Sequence, residues 1–156
     1  MARRLLTILS ESAADVAGFT TAEIRQRGRR VGFSIETVGG RKGILAHVDF
    51  DGPRVGKYGV DLRAFESLVL PALEVEDTET IVVIDELGKM ELLSEAFRHS
   101  VDVLFERDNN LVATVHVYRH PFTERLKQRP ATEVVNVTTA NRNDLPQDIA
   151  SRLLTH

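Results

Sequence analysis

The sequence predicts an α/β fold: a parallel sheet with helices packed around it, preceded by an added β-hairpin region. Three observations carry that prediction. Ile81-Val82-Val83-Ile84 is a continuously apolar, β-branched run, which suits a strand covered on both faces of a parallel sheet and not one face of a hairpin. After it, helical stripes and short apolar runs alternate, as connections between parallel strands require. Before it, from Val16 to Val48, short β segments are divided by turn signals with no helix between them.

The elements follow in order. Leu5, Leu6, Ile8, Leu9 and Ala13 fall at helical spacing, with Arg3, Arg4, Glu11 and Ser12 largely on other faces, so the chain opens on an amphipathic helix. Val16 to Ile24, Val31 to Thr37 and Ile44 to Val48 read as strands, separated by Arg27-Gly28-Arg29 and Gly39-Gly40. Asp61 is placed to cap a helix carrying Leu62, Phe65, Leu68, Val69 and Leu73, with Pro71 bending or shortening its end. The Ile81 to Ile84 strand is central. Leu93, Phe97, Val101 and Leu104 mark a helix within Glu91 to Arg107, which Asp108-Asn109-Asn110 breaks. Leu111 to Val115 is a second buried strand. A polar stretch holding Pro121 and Pro130 leads to Glu133 to Val137, a third parallel strand, and Pro146 opens a last helix toward Leu154. In such a fold the ligand crevice lies at the carboxyl ends of the strands.

Composition narrows the function. With 156 residues the chain has the length of a single domain, residues 1–156. A net charge of -3 gives no field that would gather nucleic acid or an anionic membrane, so neither is an expected partner and anion binding must be local. Cysteine is absent, which removes thiol catalysis and disulfides and fits a cytoplasmic setting. The apolar stretch Leu5 to Leu9, interrupted at Thr7, is too short for export or for spanning a bilayer.

The chemistry gathers at Ile81-Val82-Val83-Ile84-Asp85-Glu86. An acid where a buried strand ends faces the crevice and can hold magnesium, usually through water; a glutamate directly after it can orient or deprotonate an attacking water. That is the form of a Walker B motif with a catalytic acid. A solvated charge ending a strand is the bland alternative. The string continues Leu87-Gly88-Lys89-Met90-Glu91, and around it stand Gly18-Phe19-Thr20-Thr21-Ala22-Glu23-Ile24-Arg25, Arg30-Val31-Gly32-Phe33, Tyr58-Gly59-Val60, and Thr139 through Leu145.

In those ordered strings the chain resembles the small P-loop nucleoside-triphosphatases of archaea and thermophilic bacteria, the family of the human cancer-related nucleoside-triphosphatase. The resemblance covers nearly the whole chain. It implies a three-layer P-loop sheet and hydrolysis of nucleoside triphosphate to diphosphate and phosphate, with Mg2+ as cofactor. By position it makes Asp85 the magnesium residue and Glu86 the water-activating acid, and it brings Gly88 and Lys89 close to nucleotide on the turn leaving the strand, with a solvated lysine as the alternative for Lys89. Thr114 and His116 end the neighbouring strand, where a γ-phosphate sensor or a structural cap could sit. Asn141 and Arg142 begin a segment that runs past the base in P-loop kinase-like folds, with turn formation and capping before Pro146 as their alternative. Thr20, Glu23 and Arg25 read as alternating polar residues of a half-exposed strand.

The same resemblance implies Gly-x-x-x-x-Gly-Lys-Ser/Thr between a first strand and first helix, and no such string occurs. Gly52-Pro53-Arg54-Val55-Gly56-Lys57-Tyr58 is one residue short between its glycines and ends in Tyr58 where a hydroxyl ligand is needed. Aligned by order, Met1 falls just after the point where the loop is expected. The first strand is then expected to be missing as well, leaving the Ile81 to Ile84 strand without a neighbour and with an apolar edge. A miscalled start, a truncation and a noncatalytic relative are the competing explanations, with the first favoured because Asp85 and Glu86 are retained. These residues alone are expected to turn over nucleotide weakly or not at all. A noncatalytic nucleotide-binding or scaffold protein is the alternative function. A zinc site on His116 and His120 is disfavoured, because their four-residue spacing suits a helix while Val115 to Tyr118 reads as strand end and loop.

Overall fold

The computed structural model describes residues 1–155. Helix α1 (Ala2–Glu11) leads into a hairpin of β1 (Val16–Gln26) and β2 (Arg29–Thr37), followed by β3 (Lys42–His47), the short pair β4 (Arg54–Val55) and β5 (Tyr58–Val60), and helix α2 (Leu62–Ala72). Strand β6 (Ile81–Leu87), a 3-10 turn (Glu91–Leu93), helix α3 (Glu95–Glu106), strand β7 (Leu111–Val115), helix α4 (Pro121–Lys127) and helix α5 (Leu145–Leu153) complete it. The seven strands form one sheet in the order β4-β5-β3-β2-β1-β6-β7. Pairing is antiparallel among the first five strands and parallel where β1 meets β6 and β6 meets β7. The hairpin region and the α/β part are therefore continuous through β1, whose two edges take opposite pairing senses.

Strand alternation divides the apolar residues of β6 between two cores. Val82 and Ile84 join Phe19, Phe65 and Phe97 on the side of α2 and α3, whereas Ile81 and Val83 pack with Leu5, Leu9 and Ala150 from α1 and α5. Helices thus cover both faces of β6, and all four of its first residues are buried. On the larger side the rings of Phe19, Phe65 and Phe97 meet edge to face, with centroids 5.1–6.0 Å apart. Gly18 fixes how β1 lies against β6: it has φ +113, and a Cβ there would sit 1.9 Å from the Val83 carbonyl oxygen. Only glycine allows that approach. The resulting register ends with Phe19 against Ile84, the residue before Asp85.

Several expected ends are seen in atomic form. Asp61 Oδ1 accepts from the Ala64 N–H at 2.9 Å to cap α2, whose last turn holds Pro71. Ser94 Oγ accepts from the Phe97 N–H to cap α3 and donates to Glu66 on α2 at 2.6 Å, tying the two helices together.

Two expectations fail. Strand β6 is not left with an open side, because β7 pairs along it from Val82↔Leu111 to Leu87↔Val115. Nor do Glu133 to Val137 form a third parallel strand; they are irregular chain, and Val134, Val135 and Val137 are exposed. β-Branched residues favour a strand only where a neighbour and a covered face exist, and this segment has neither. Glu133 is instead held to α5 by an ion pair with Arg152. The open edge of the sheet lies on β7.

Candidate functional site

The carboxyl end of β6 delivers Asp85 and Glu86, both half-buried, onto a turn that immediately doubles back. The Gly88 carbonyl accepts from the Leu92 N–H at 3.0 Å, closing that turn ahead of the 3-10 segment. Asp85 is oriented from the neighbouring strand: Thr114 Oγ1 donates to Asp85 Oδ1 at 2.6 Å. Thr114 thus has a structural contact, to the Asp85 carboxylate.

Gly88 is the narrowest point of the site. A Cβ on it would lie 2.8 Å from Glu91 Oε2 and 2.9 Å from Glu86 Oε1, so two carboxylates close on the space a side chain would need. Glu91 is only 4% exposed, and burial pushes its pKa up to about 8; the charges of Glu86 and Asp85 add to the rise, while backbone N–H groups of the turn oppose it. Glu86 is pushed up as well, by burial first and then by Asp85, with His116 working in the other direction. A carboxylate whose proton affinity is raised beside a cleft is suited to accept a proton. Sequence reasoning had Glu91 inside its signature string but gave it no part, since nothing in Met90-Glu91-Leu92-Leu93 marks the glutamate as the residue turned inward.

A small recess borders this turn, walled by Gly88 and Lys89 on one side and by His116, Tyr118, Arg119 and His120 on the other. His116 and Tyr118 stack with planes 5° apart, and Lys89 Nζ lies 4.6 Å from the Tyr118 ring centroid. Lys89 and His116 both line this recess, and His116 is close enough to Glu86 for its charge to act on that carboxyl. The sequence marks neither Tyr118 nor Arg119, and it raises His120 only as half of the disfavoured zinc pair. The aromatic at Tyr118 in a polar loop, 62% exposed, was the available signal.

Other expected residues have structural partners. Asn141 Oδ1 accepts from the Thr138 N–H at 2.8 Å and its Nδ2 donates to the Asn136 carbonyl, while the Arg142 N–H bonds to the Thr138 carbonyl. Both belong to a turn, and neither lines the recess at Gly88. Glu23 lies between Arg25 and Arg30, which hold its carboxyl below the usual range, and Arg30 Nε donates to the Tyr58 hydroxyl. His120 Nδ1 accepts from the Phe122 N–H at the start of α4, a helix the sequence reading missed, and His116 Nδ1 accepts from the Tyr118 N–H. Among the described residues no three histidine or carboxylate side chains converge to hold a metal. Asp85 at the strand end, with one oxygen engaged by Thr114, fits a cation that keeps most of its own water, as magnesium does, and not one held in a protein cage.

Comparison with known proteins decides the lineage. The model of a family described as NTPase matches residues 1–150. This chain belongs to that nucleoside-triphosphatase family. Nucleoside-triphosphatase THEP1 of a Thermotoga species (strain RQ2) is 40% identical over 151 residues, which cover 96% of this chain and 87% of that protein. The human cancer-related nucleoside-triphosphatase is 38% identical over 159 residues, covering 92% and 84%. The crystal structure of THEP1 from the hyperthermophile Aquifex aeolicus superposes with a TM-score of 0.86 at 33% identity, covering 97% of this chain and 91% of that one. The solution structure of the human protein gives 0.80 at 34%, covering 98% and 89%. The α/β, P-loop NTPase-like class expected from sequence is the class of these structures. None of the described helices is long and apolar enough to cross a membrane.

Proposed function

We propose that this chain, acting as one domain over residues 1–156, takes part in magnesium-dependent hydrolysis of nucleoside triphosphate to diphosphate and phosphate in the cytoplasm. The observation that carries the reading is the placement of Asp85 and Glu86 together at the carboxyl end of the buried strand β6, within a family whose members are named nucleoside-triphosphatases. Glu86 accepts the proton of the attacking water; the water oxygen bonds to the γ-phosphorus as the bond from that phosphorus to the β–γ bridging oxygen breaks. Asp85, steadied by Thr114, would hold Mg2+ through water, and the ion would supply positive charge against that accumulating on the phosphoryl oxygens. Lys89 and Gly88, on the turn that leaves Asp85 and Glu86, line the adjoining recess and would meet the phosphates; Asn141 and Arg142 would serve the base or ribose.

Residues 1–156 contain no Gly-x-x-x-x-Gly-Lys-Ser/Thr string, and that observation favours a second reading for the chain as written, a noncatalytic nucleotide-binding or scaffold protein. One experiment separates the two. Phosphate release is measured for the 156-residue chain, for the chain with an N-terminal extension carrying such a loop, and for the extended chain with Glu86→Gln. Turnover should rise sharply with the extension and fall about 10²–10⁴-fold with Glu86→Gln, the usual worth of a general base. Unchanged turnover in the Glu86→Gln protein would remove Glu86 from the mechanism; calorimetric binding of Mg-nucleotide without turnover in any form would establish the second reading.

A further inference from the structure

Charge in this chain is unevenly placed. Arg25, Arg27, Arg29, Arg30, Arg54 and Lys57 stand at one end of the sheet, on the β1–β2 turn and on the β4–β5 turn beside it, and the net charge of -3 averages over that separation. Arg30 joins the two turns: its Nε donates to the Tyr58 hydroxyl at 2.9 Å, and Lys57 Nζ lies 5.5 Å from the Tyr58 ring centroid. Pairing with β3 stops at Gly32↔His47 and pairing with β6 stops at Phe19↔Ile84. Residues 25–30 therefore project as a two-stranded finger, with neither edge paired to a further strand. Because β1 and β6 are parallel, the finger leaves the end of the sheet that carries Asp85 and Glu86.

One carboxylate answers these cations. Glu23 pairs with Arg25 at 2.6 Å and with Arg30 at 2.9 Å, whereas Arg27, Arg29, Arg54 and Lys57 form no ion pair among the described residues. Register adds to the crowding: Arg25 stands directly opposite Arg30, and like charges so placed destabilise a hairpin. A local conflict of this kind, kept in an otherwise consistent strand pair, marks a surface shaped for something outside the chain. The tip, Gln26-Arg27-Gly28-Arg29, is exposed and carries no apolar side chain, so it has nothing to insert into a bilayer. Guanidinium forks match the paired oxygens of phosphate. The shape of the finger names the source of those phosphates. Three residues on each arm reach about 10 Å. The major groove of B-form DNA, about 8.5 Å deep, admits a two-stranded β-ribbon, while that of A-form RNA is too narrow.

We propose that the β1–β2 finger enters the major groove of a DNA duplex, with Arg25, Arg27 and Arg29 on the phosphates that border the groove and Arg54 and Lys57 on the backbone at its base. Arg30, held by Glu23 and Tyr58, fixes the finger to the sheet. The contacts are to phosphates, so binding is independent of base sequence. The surface is separate from the Asp85–Glu86 centre, and its occupation does not depend on hydrolysis.

The test is fluorescence anisotropy of labelled DNA duplexes of two unrelated sequences, titrated with the 156-residue chain over a salt series, with an RNA duplex and phosphatidylserine vesicles for comparison. Both DNA duplexes should bind alike, with log K falling against log salt at a slope of about -4, roughly -0.9 for each phosphate engaged. The RNA duplex should bind about tenfold more weakly, and the vesicles should not capture the chain. Arg27→Asn/Arg29→Gln, in which asparagine suits the φ of 50° at position 27, should weaken DNA binding at least about tenfold at low salt and make the slope shallower by about 2. Arg3→Gln/Arg4→Gln, which removes the same charge from exposed residues of α1, should match the parent. Absence of duplex binding by the parent overturns the proposal, and vesicle capture in its place would make this a membrane surface. So does parental affinity and slope in an Arg27→Asn/Arg29→Gln protein with the parent's circular dichroism, an equal loss in Arg3→Gln/Arg4→Gln, or RNA binding as tight as that of DNA.

Discussion

Two β-branched runs of this chain have opposite fates. Ile81-Val82-Val83-Ile84 lies between β1 and β7 under helices on both faces, and every side chain is buried. Val134, Val135 and Val137 have comparable strand propensity and stand 39–53% exposed without a partner strand. Propensity is the same in kind; what differs is whether a neighbour and a cover exist. Asp85 and Glu86 continue the buried run, with Asp85 held by Thr114 on the next strand, while the segment after the other run leads to the Asn141 turn.

Substitutions sharpen the contrast. Ile84→Ala, which empties a fully buried position in the larger core, should cost about 2–5 kcal/mol in urea unfolding. A smaller loss would mean that β6 is not the rigid element. Glu91 gives the next effect, and it depends on pH. Its raised pKa means that the folded chain keeps a proton the unfolded chain loses above about 4.5, so this group's contribution to stability falls as pH rises from 4.5 to about 8 and then levels. Glu91→Gln should therefore gain on the parent by an amount on the order of a few kcal/mol between pH 5 and pH 8.5; equal pH slopes in the two proteins would contradict the burial of this carboxyl. Asn141→Ala removes side-chain hydrogen bonds from an exposed turn and should cost about 1 kcal/mol. Val135→Ala should stay within about 0.5 kcal/mol of the parent, and a loss approaching that of Ile84→Ala would show that the second run is packed after all.

The contrast also explains which features could be read from sequence. The β6 run, the Asp61 cap, the Arg27-Gly28 hairpin turn and the breaker at Asp108-Asn109-Asn110 are local signals, carried by a few adjacent residues. Pro121 reads in the sequence as a loop marker, whereas in the structure it occupies the first turn of α4 behind a histidine cap, with Phe122 and Leu126 buried on one face. Strands β4 and β5 are two and three residues long, below any periodicity. Within the site, Asp85 and Glu86 were legible because the strand announces them. The contacts of Glu91, Thr114 and Tyr118 are not legible there, since they arise from the close approach at Gly88, from a hydrogen bond between strands and from a stack across a loop.

That hydrogen bond between strands has a mechanical meaning. Strand β7 forms the last rung of the sheet, and its outer N–H and C=O groups face no other strand among the described residues. Thr114 sits on that rung and grips Asp85 on the next. Fraying of the outer rung slackens the grip, and bracing it tightens the grip, so the aim of the Asp85 carboxylate varies with the firmness of the sheet's border.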